Sequence, residues 1–369
     1  MLDSPAIDLP PPAPVAAATL HYGGVDQPPQ ALRDLLLARV EAAAPGSEIT
    51  WATYYFRDPA LADALIAARQ RGVKVRLVLE GRARRGSVNG PTIERLKAGL
   101  GSDLRLHRSW LPGQHLHAKI YTFSGGPEPA AFIGSYNPSG GVDDPKLLRD
   151  IGDQDRGENL LVDFRDPDAV EALEAQAMRL WEGRFAFRFG KRANKAKRVG
   201  DFAFYYYPRL RTDVVERRLA RLGPGDEVKA AVSHMDKGPF ASQLVKAAER
   251  GARVELVVHD TRRRVSKGVV SELRDAGVEI RRYCDPDGYP MHAKFVIVDH
   301  KQVRTAWFGS LNYNFGSRVM NQEILARSAD PGLVDAFDVR FDRLAEEAAT
   351  RSCTGGKHVA DAAMKAALP

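Results

Sequence analysis

Cysteine is almost missing from this 369-residue chain, with only Cys284 and Cys353 present. Two cysteines so far apart exclude a disulfide-built scaffold, and both read as reduced thiols of a cytosolic protein. No run of about 18 uninterrupted apolar residues occurs, which excludes a membrane-spanning helix. The first residues carry Asp3, Asp8 and a proline-rich stretch from Pro10 to Pro14, with no basic residue before Arg33, the wrong layout for a secretory signal. The expected location is therefore cytoplasmic, with contact to a membrane only at its surface. An apolar content of 44% supports a packed globular core. Lys and Arg exceed Asp and Glu by 54 to 47, a net charge of +7, which favours anionic partners without choosing between nucleic acid and lipid head groups.

What the chain does have is a repeated segment. His117-Ala118-Lys119 is followed by Gly134-Ser135-Tyr136-Asn137, and His292-Ala293-Lys294 by Gly309-Ser310-Leu311-Asn312. The spacings are identical, and the surroundings repeat too. A strand over 47–56, a helix opened by Asp58-Pro59 and a strand at Val73 to Leu79 correspond to Glu227–Val232, a helix after Gly238-Pro239 and a strand at Val254 to Val258. A second helix, a further strand and the motif strand follow in each copy. Each copy then ends in a long helix beginning with Asp-Pro, at Asp166 and Asp330. Alternating strands and helices predict an α/β fold of two lobes, each a mixed, mostly parallel sheet flanked by helices, related by a pseudo-two-fold axis. The expected organisation is a flexible N-terminus (1–30), lobe 1 (31–190), a basic linker (191–200), lobe 2 (201–350) and a flexible tail (351–369). The aromatic run Phe202, Phe204, Tyr205, Tyr206 and Tyr207 reads as the first strand of lobe 2 with alternate rings buried, in preference to a lipid- or base-stacking patch.

In a strand, side chains two apart share a face, so each His stands beside its Lys. A metal site fits this couple poorly, because Lys brings donors and a positive charge where a metal needs a lone pair. No metal and no cofactor are expected. A phosphodiester fits well: Lys119 and Lys294 meet the non-bridging oxygens, while Asn137, Asn312, Ser135 and Ser310 add neutral donors where charge grows in the transition state. One imidazole attacks phosphorus, and the other protonates the leaving alcohol and later activates water or an alcohol. Two half-sites in one chain also predict a monomer.

The doubled His-x-Lys with its later Gly-Ser-x-Asn resembles the HKD motif of the phospholipase D superfamily, and the resemblance runs from about Ala31 to Ala349. It implies a phosphohistidine intermediate at the lobe interface, with His117 the nucleophile and His292 the acid and base. It further implies supporting roles for Asp299, replaced by Ser124 in the first copy, and for Glu158 and Glu323 as acidic residues that orient a catalytic His. His115 has no counterpart, since Pro290 stands in the second copy.

The motif leaves the substrate open. Basic loops (Arg82, Arg84 and Arg85; Arg262, Arg263, Arg264 and Lys267) suit a second phosphate or a nucleic-acid backbone. Apolar loops before each motif (Trp110 to Gly113; Gly288 to Met291) suit acyl chains or a lid that excludes water. The favoured expectation is a phospholipase D or phosphatidyltransferase acting on phospholipid at a membrane surface. A metal-independent nuclease acting on DNA or RNA is the alternative, and a non-catalytic anion-binding scaffold the third reading.

Overall fold

A computed structural model describes residues 16–83, 89–109, 111–138, 157–185, 194–209, 214–285, 289 and 291–351. The expectations placed on Arg84, Arg85, Trp110, Gly288 and Pro290 therefore lie outside the described residues, as do residues 1–15 and 352–369. The first half contributes β1 (Ala18–Tyr22), α1 (Ala31–Ala42), β2 (Glu48–Thr53), α2 (Pro59–Gln70), β3 (Lys74–Glu80) and α3 (Gly90–Leu100). It continues with β4 (Leu104–His107), β5 (Ile120–Ser124), β6 (Ala130–Gly134), β7 (Leu160–Phe164) and α4 (Pro167–Trp181). The second half begins with β8 (Lys197–Val199), β9 (Phe202–Tyr206), α5 (Val214–Leu219), β10 (Glu227–Val232), α6 (Pro239–Glu249) and β11 (Arg253–His259). It closes with α7 (Lys267–Asp275), β12 (Glu279–Tyr283), β13 (Lys294–His300), β14 (Val303–Gly309), α8 (Phe315–Val319), β15 (Ile324–Ser328) and α9 (Pro331–Thr350).

The two sheets repeat one plan. Their strand orders are β1-β7-β6-β5-β2-β3-β4 and, read the same way, β8-β9-β15-β14-β13-β10-β11-β12, so the second gains only the edge strand β8. Register agrees as well: Glu48 opposes Ser124 in one sheet and Glu227 opposes Asp299 in the other. The two-lobed α/β architecture is as expected, but the parallel share is smaller. In each sheet only the β-α-β units are parallel, β2-β3-β4 and β10-β11-β12, and the remaining pairs are antiparallel. The motif strands cause this, because β5-β6 and β13-β14 return through tight hairpins rather than helical crossovers.

Three further differences concern composition. Residues 18–22, expected to be flexible, form β1 against β7, a strand masked by the Ala- and Pro-rich stretch before it. Lys197–Val199, expected to be linker, pairs with β9. Cys284, just after β12, is disulfide-bonded, which corrects the reading of two reduced thiols. Sequence distance concealed that the end of α9 folds back onto β12, where Arg351 donates to the Tyr283 hydroxyl at 3.0 Å.

Local chemistry explains the long helices. Asp58, Asp166 and Asp330 each accept a hydrogen bond from the backbone N–H three residues on, at 3.0, 2.9 and 2.7 Å, with proline at the first helical position. α1 to α3 cover the outer face of the first sheet and α5 to α7 that of the second. The inner faces share a core with α4 and α9, in which Phe164, Phe308 and Phe337 are in contact across the lobes. β13 is apolar at successive positions because both its faces are buried, Phe295 and Ile297 inward, Val296 and Val298 outward. β9 behaves likewise, so its rings are buried on both faces rather than alternately.

Candidate active site

The motif residues lie where the lobes meet. Each His stands on an extended segment just before its hairpin, and that segment pairs with the opposite lobe. His117 N donates to Gln322 O at 2.9 Å and Gln322 N to His115 O at 2.8 Å, while His292 N donates to Gly157 O at 2.7 Å. The imidazoles are thereby held by side chains from across the interface. His117 Nδ1 is 2.8 Å from Glu323 Oε2, and His292 Nδ1 is 2.8 Å from Asn159 Oδ1. With Nδ1 bonded to an acceptor oxygen, the proton sits there and Nε2 offers its lone pair to the cleft.

Both lysines are buried and each donates to the carbonyl of its own His, Lys119 at 2.6 Å and Lys294 at 2.8 Å. The motif glycines permit the close packing beneath them. A Cβ on Gly134 would stand 2.1 Å from Leu160 O, and one on Gly309 2.3 Å from Ile324 O, so a side chain at either would push the hairpin off the next strand. Ser135 and Ser310 are turned toward that same junction. Each hydroxyl accepts from the backbone N–H of the following strand, Leu160 at 3.0 Å and Ile324 at 3.1 Å. Both hydroxyls brace the backbone at that junction. Ser310 has a second task, donating to Glu323 Oε2 at 2.5 Å.

Asn137 and Asn312 do reach the cleft, a cavity of about 350 Å³ that both histidines line. Asn137 Oδ1 accepts from Tyr55 N at 3.2 Å, which turns its amide N–H₂ away from that contact. Asn312 Oδ1 is buried without a hydrogen-bond partner among the described residues.

Two expected supporting residues lie elsewhere. Asp299 is near the far end of β13, opposite Glu227 and Arg304, seven residues or roughly 20 Å of strand beyond His292. Ser124 holds the matching place and donates to Glu174 at 2.5 Å, so this position closes a hairpin and leaves the cleft untouched. Glu158 is the register error. Ser135 N and Ser310 N donate to Leu160 O and Ile324 O, which aligns Asn159, not Glu158, with Glu323. Glu158 is instead buried beneath the interface, with φ at 55°, accepting from Tyr283 Oη at 2.7 Å and paired with Arg340. Its role is to hold the turn that presents Gly157 O and Asn159 to His292.

Further cleft residues lie outside the motifs, and of these the sequence singles out His115, Arg263 and Arg264 but not Asn159, Asn321, Tyr54, Tyr55 and His234. Asn159 could have been found by aligning Leu160-Leu161-Val162 with Ile324-Leu325-Ala326 in place of the two acids. Asn321 Nδ2 donates to Glu323 Oε1 at 3.4 Å, and its Oδ1 accepts from His115 N at 3.0 Å. Tyr54, 5.1 Å from the His117 ring, Tyr55, His115, His234, Arg263 and Arg264 complete the walls.

Electrostatically the cleft is under strain. Burial, then neighbouring cations, push His117 down to about 4 despite Glu323, and Lys119 is lowered by burial to about 7. His292 is driven well below its ordinary value by burial first, then by Lys294, Arg264, Lys119 and His117, and Lys294 by burial first, then by Lys119 and Arg264. Burial alone would raise Glu323, but His117, Lys119 and Ser310 hold its carboxyl below the ordinary value. One buried carboxylate therefore faces four groups that would each carry positive charge more readily beside an anion.

Fold and cleft together define a duplicated α/β protein whose halves jointly build one anion-directed site. A family model described as "Cardiolipin synthase, PLD-like domain" matches residues 36–181 and again 223–345, and the chain belongs to the phospholipase D superfamily. It is 35% identical over 108 residues to mitochondrial cardiolipin hydrolase of Xenopus tropicalis, covering 29% of this chain and 49% of that protein. The chain thus spans about half the length of the curated relatives it matches. Among solved structures it resembles the phosphatidylserine synthase of Haemophilus influenzae Rd KW20, with 12% identity, TM-score 0.60 and coverage of 94% of this chain and 92% of that one. It also resembles the polyphosphate kinase of Porphyromonas gingivalis, with 16% identity, TM-score 0.59 and coverage of 94% and 54%. These structures share the fold. No helix among the described residues is long and apolar enough to cross a membrane.

Proposed function

We propose that the protein is a metal-independent phosphodiesterase or phosphatidyltransferase acting on phospholipid through a phosphohistidine, with the whole site in one monomeric chain. The observation that carries this reading is the crossed pairing of the two imidazoles, His117 with Glu323 and His292 with Asn159. Both rings aim Nε2 into one cleft, but only His117 has a carboxylate behind it. As Nε2 attacks phosphorus, positive charge develops on the ring and Glu323 stabilises it, which favours His117 as the nucleophile. The bond from phosphorus to the leaving alcohol breaks, and protonated His292 gives that oxygen its proton. A phosphate anion beside the ring makes this protonation favourable, offsetting the burial and the neighbouring cations that depress His292. His292 then accepts a proton from water or an alcohol, whose oxygen attacks phosphorus and releases Nε2 of His117. Lys119, Lys294, Asn137 and Asn312 meet the non-bridging oxygens.

Support for a lipid comes from the cardiolipin-directed relatives and from Phe315, 66% exposed between cleft-lining Asn314 and Gly316. The test is turnover of a panel of phospholipid vesicles, DNA and RNA in EDTA by wild type, His117→Ala and His292→Ala. Head-group release lost in both variants is expected, with an acid-labile phosphoenzyme in wild type alone. Turnover abolished by EDTA would sink the mechanism, and nucleic-acid cleavage without lipid turnover would sink the lipid assignment.

A further inference from the structure

Behind His292 lies a buried cluster of ionisable groups. His292 N donates to Gly157 O and its ring meets Asn159, so the turn over residues 157–159 sets the position of the imidazole. Glu158, at the centre of that turn, takes a φ of 55°, in the left-handed region that a residue with a side chain adopts only where its surroundings impose it. Those surroundings come from three directions. Gly23, just past β1, donates to Asn159 O at 2.9 Å, and a Cβ on Gly24 would stand 2.7 Å from Glu158 Oε1, so this segment closes directly over the carboxyl. α9 supplies Arg340, which pairs with Glu158 Oε2 and, at 2.9 Å, with Asp26. β12 supplies Tyr283, 1% exposed, whose hydroxyl is 2.7 Å from Glu158 Oε1 and 2.9 Å from Glu347 Oε2. In register Tyr283 stands where the first copy has His107, so repetition gives no sign of it.

The Tyr283 hydroxyl is the joint of this cluster. Two carboxyl groups approach it, and Arg351 Nη1 donates to it at 3.0 Å. A phenol has one proton to give, so both carboxyl contacts are hydrogen bonds only when one of the acids has kept its own proton. Glu347 meets two guanidinium groups, Arg343 at 3.0 Å and Arg351 at 3.2 Å. Burial holds Glu158 up at about 7, and Arg340 already has Asp26 as a counter-charge, so below that pH Glu158 is the acid that donates. Donors then run from Glu158 to Tyr283 to Glu347, and the phenol oxygen gives one hydrogen bond and accepts two. Ionised Glu158 instead takes the phenol proton, which leaves Glu347 Oε2 facing a lone pair across 2.9 Å.

We propose that Tyr283 is a positioning residue for His292: by joining the end of α9 to Glu158 it fixes the 157–159 turn, so that the imidazole is aligned to give its proton to the leaving alcohol. This inference rests on the phosphodiesterase reading and separates its two imidazoles. His117 is held from lobe 2, its ring by Glu323 and its backbone by Gln322, so its attack on phosphorus does not depend on the Tyr283 cluster.

The experiment measures phosphoenzyme formation by rapid quench in the full chain, wild type and Tyr283→Phe, with thermal midpoints to verify folding. The substrates are phosphatidylcholine and the p-nitrophenyl ester of the same phosphatidic acid, whose leaving group departs as a stable anion without a proton. Tyr283→Phe is expected to slow the reaction of the choline ester about tenfold or more and that of the nitrophenyl ester less than about twofold. Arg351→Gln, which removes one hydrogen bond to the phenol from a partly exposed side chain, shows the same selective loss on a smaller scale. Glu158→Gln, whose amide can give a hydrogen to the phenol and accept from Arg340, keeps about fivefold more of the choline-ester rate than Glu158→Leu. Equal slowing of both esters, or of neither, overturns the positioning role, as does equal loss in the two Glu158 variants. If wild type forms no phosphoenzyme from any phosphodiester, the phosphodiesterase reading falls, and the positioning is decided by magnetic resonance of isotope-labelled histidine. There the His292 signals, assigned with His292→Ala, move in Tyr283→Phe while those of His117 stay. His292 signals that stay in place overturn the proposal.

Discussion

Glu323→Gln isolates the charge behind His117 from the hydrogen bond that orients it. The substituted amide still offers a carbonyl oxygen to Nδ1, as Asn159 does for His292. What disappears is a carboxylate 2.8 Å from the ring. At an effective dielectric of about 20, unit charges at that separation attract by roughly 6 kcal/mol. The ring begins neutral and carries about half a charge in a phosphoryl-transfer transition state, so about 3 kcal/mol of stabilisation is lost, a rate effect on the order of a hundredfold. The assay is rapid-quench measurement of the phosphoenzyme and of released head group. Glu323→Gln slows formation of the phosphoenzyme about a hundredfold while KM changes little. The companion Asn159→Asp affects mainly the proton transfers to and from His292, seen as a shifted pH profile. Phosphoenzyme formation at the wild-type rate in Glu323→Gln, or phosphate recovered on His292, would refute the assignment.

Four further outcomes follow from the same geometry. In kcat/KM, which reports the free enzyme, activity falls below about pH 4 as His117 becomes protonated and declines on the alkaline side as His292, held well below its ordinary value by burial and neighbouring cations, gives up the proton the leaving alcohol needs; a profile still rising at about pH 7 would contradict this. Arg340→Met removes the partner of buried Glu158 and lowers stability by about 3–5 kcal/mol in denaturant titrations, more than Glu158→Gln does. Burial holds Glu158 near 7, above its ordinary value of 4.5, so the folded chain keeps a proton that the unfolded chain has released. Stability therefore declines as pH rises between those values, and Glu158→Gln flattens the decline. Phe315→Ser weakens sedimentation with anionic vesicles about tenfold, the scale of one apolar side chain left in water, while turnover of a soluble short-chain phospholipid is retained; equal losses in both would place Phe315 in the chemistry instead.

The duplication made most of the fold legible. Asp-Pro helix starts, the β-α-β order and the spacing of the motifs are local signals, and each appears where expected, from Asp58 to Asp330. Strand direction was less accessible, because a hairpin and a helical crossover both leave a buried strand apolar, as β5 and β13 show. The strand β1 could not be seen because its pairing partner β7 lies about 140 residues away and its own residues are half-buried. In the site, repetition exposed His117, Lys119 and Asn137 with their counterparts, since identity at equal spacing is visible in the chain. It hid the residues at which the copies differ. Asn159 and His234 acquire meaning only against Glu323 and Tyr55, and that comparison needs the backbone register.

Those differences are what a shared site demands. Two identical half-sites around one phosphorus would bind a phosphodiester equally well in either direction, and neither imidazole would be set apart as nucleophile or acid. The crossing of the His segments resolves this economically. Because His117 is oriented by the strand junction of lobe 2 and His292 by that of lobe 1, a single exchange, Glu323 against Asn159, distinguishes the two rings while the hydrogen-bond geometry stays the same. A further exchange, Tyr55 against His234, makes the two walls of the cleft chemically different. On the proposed mechanism, it is the exchange of Glu323 against Asn159 that sets His117 apart as the nucleophile and His292 as the acid and base.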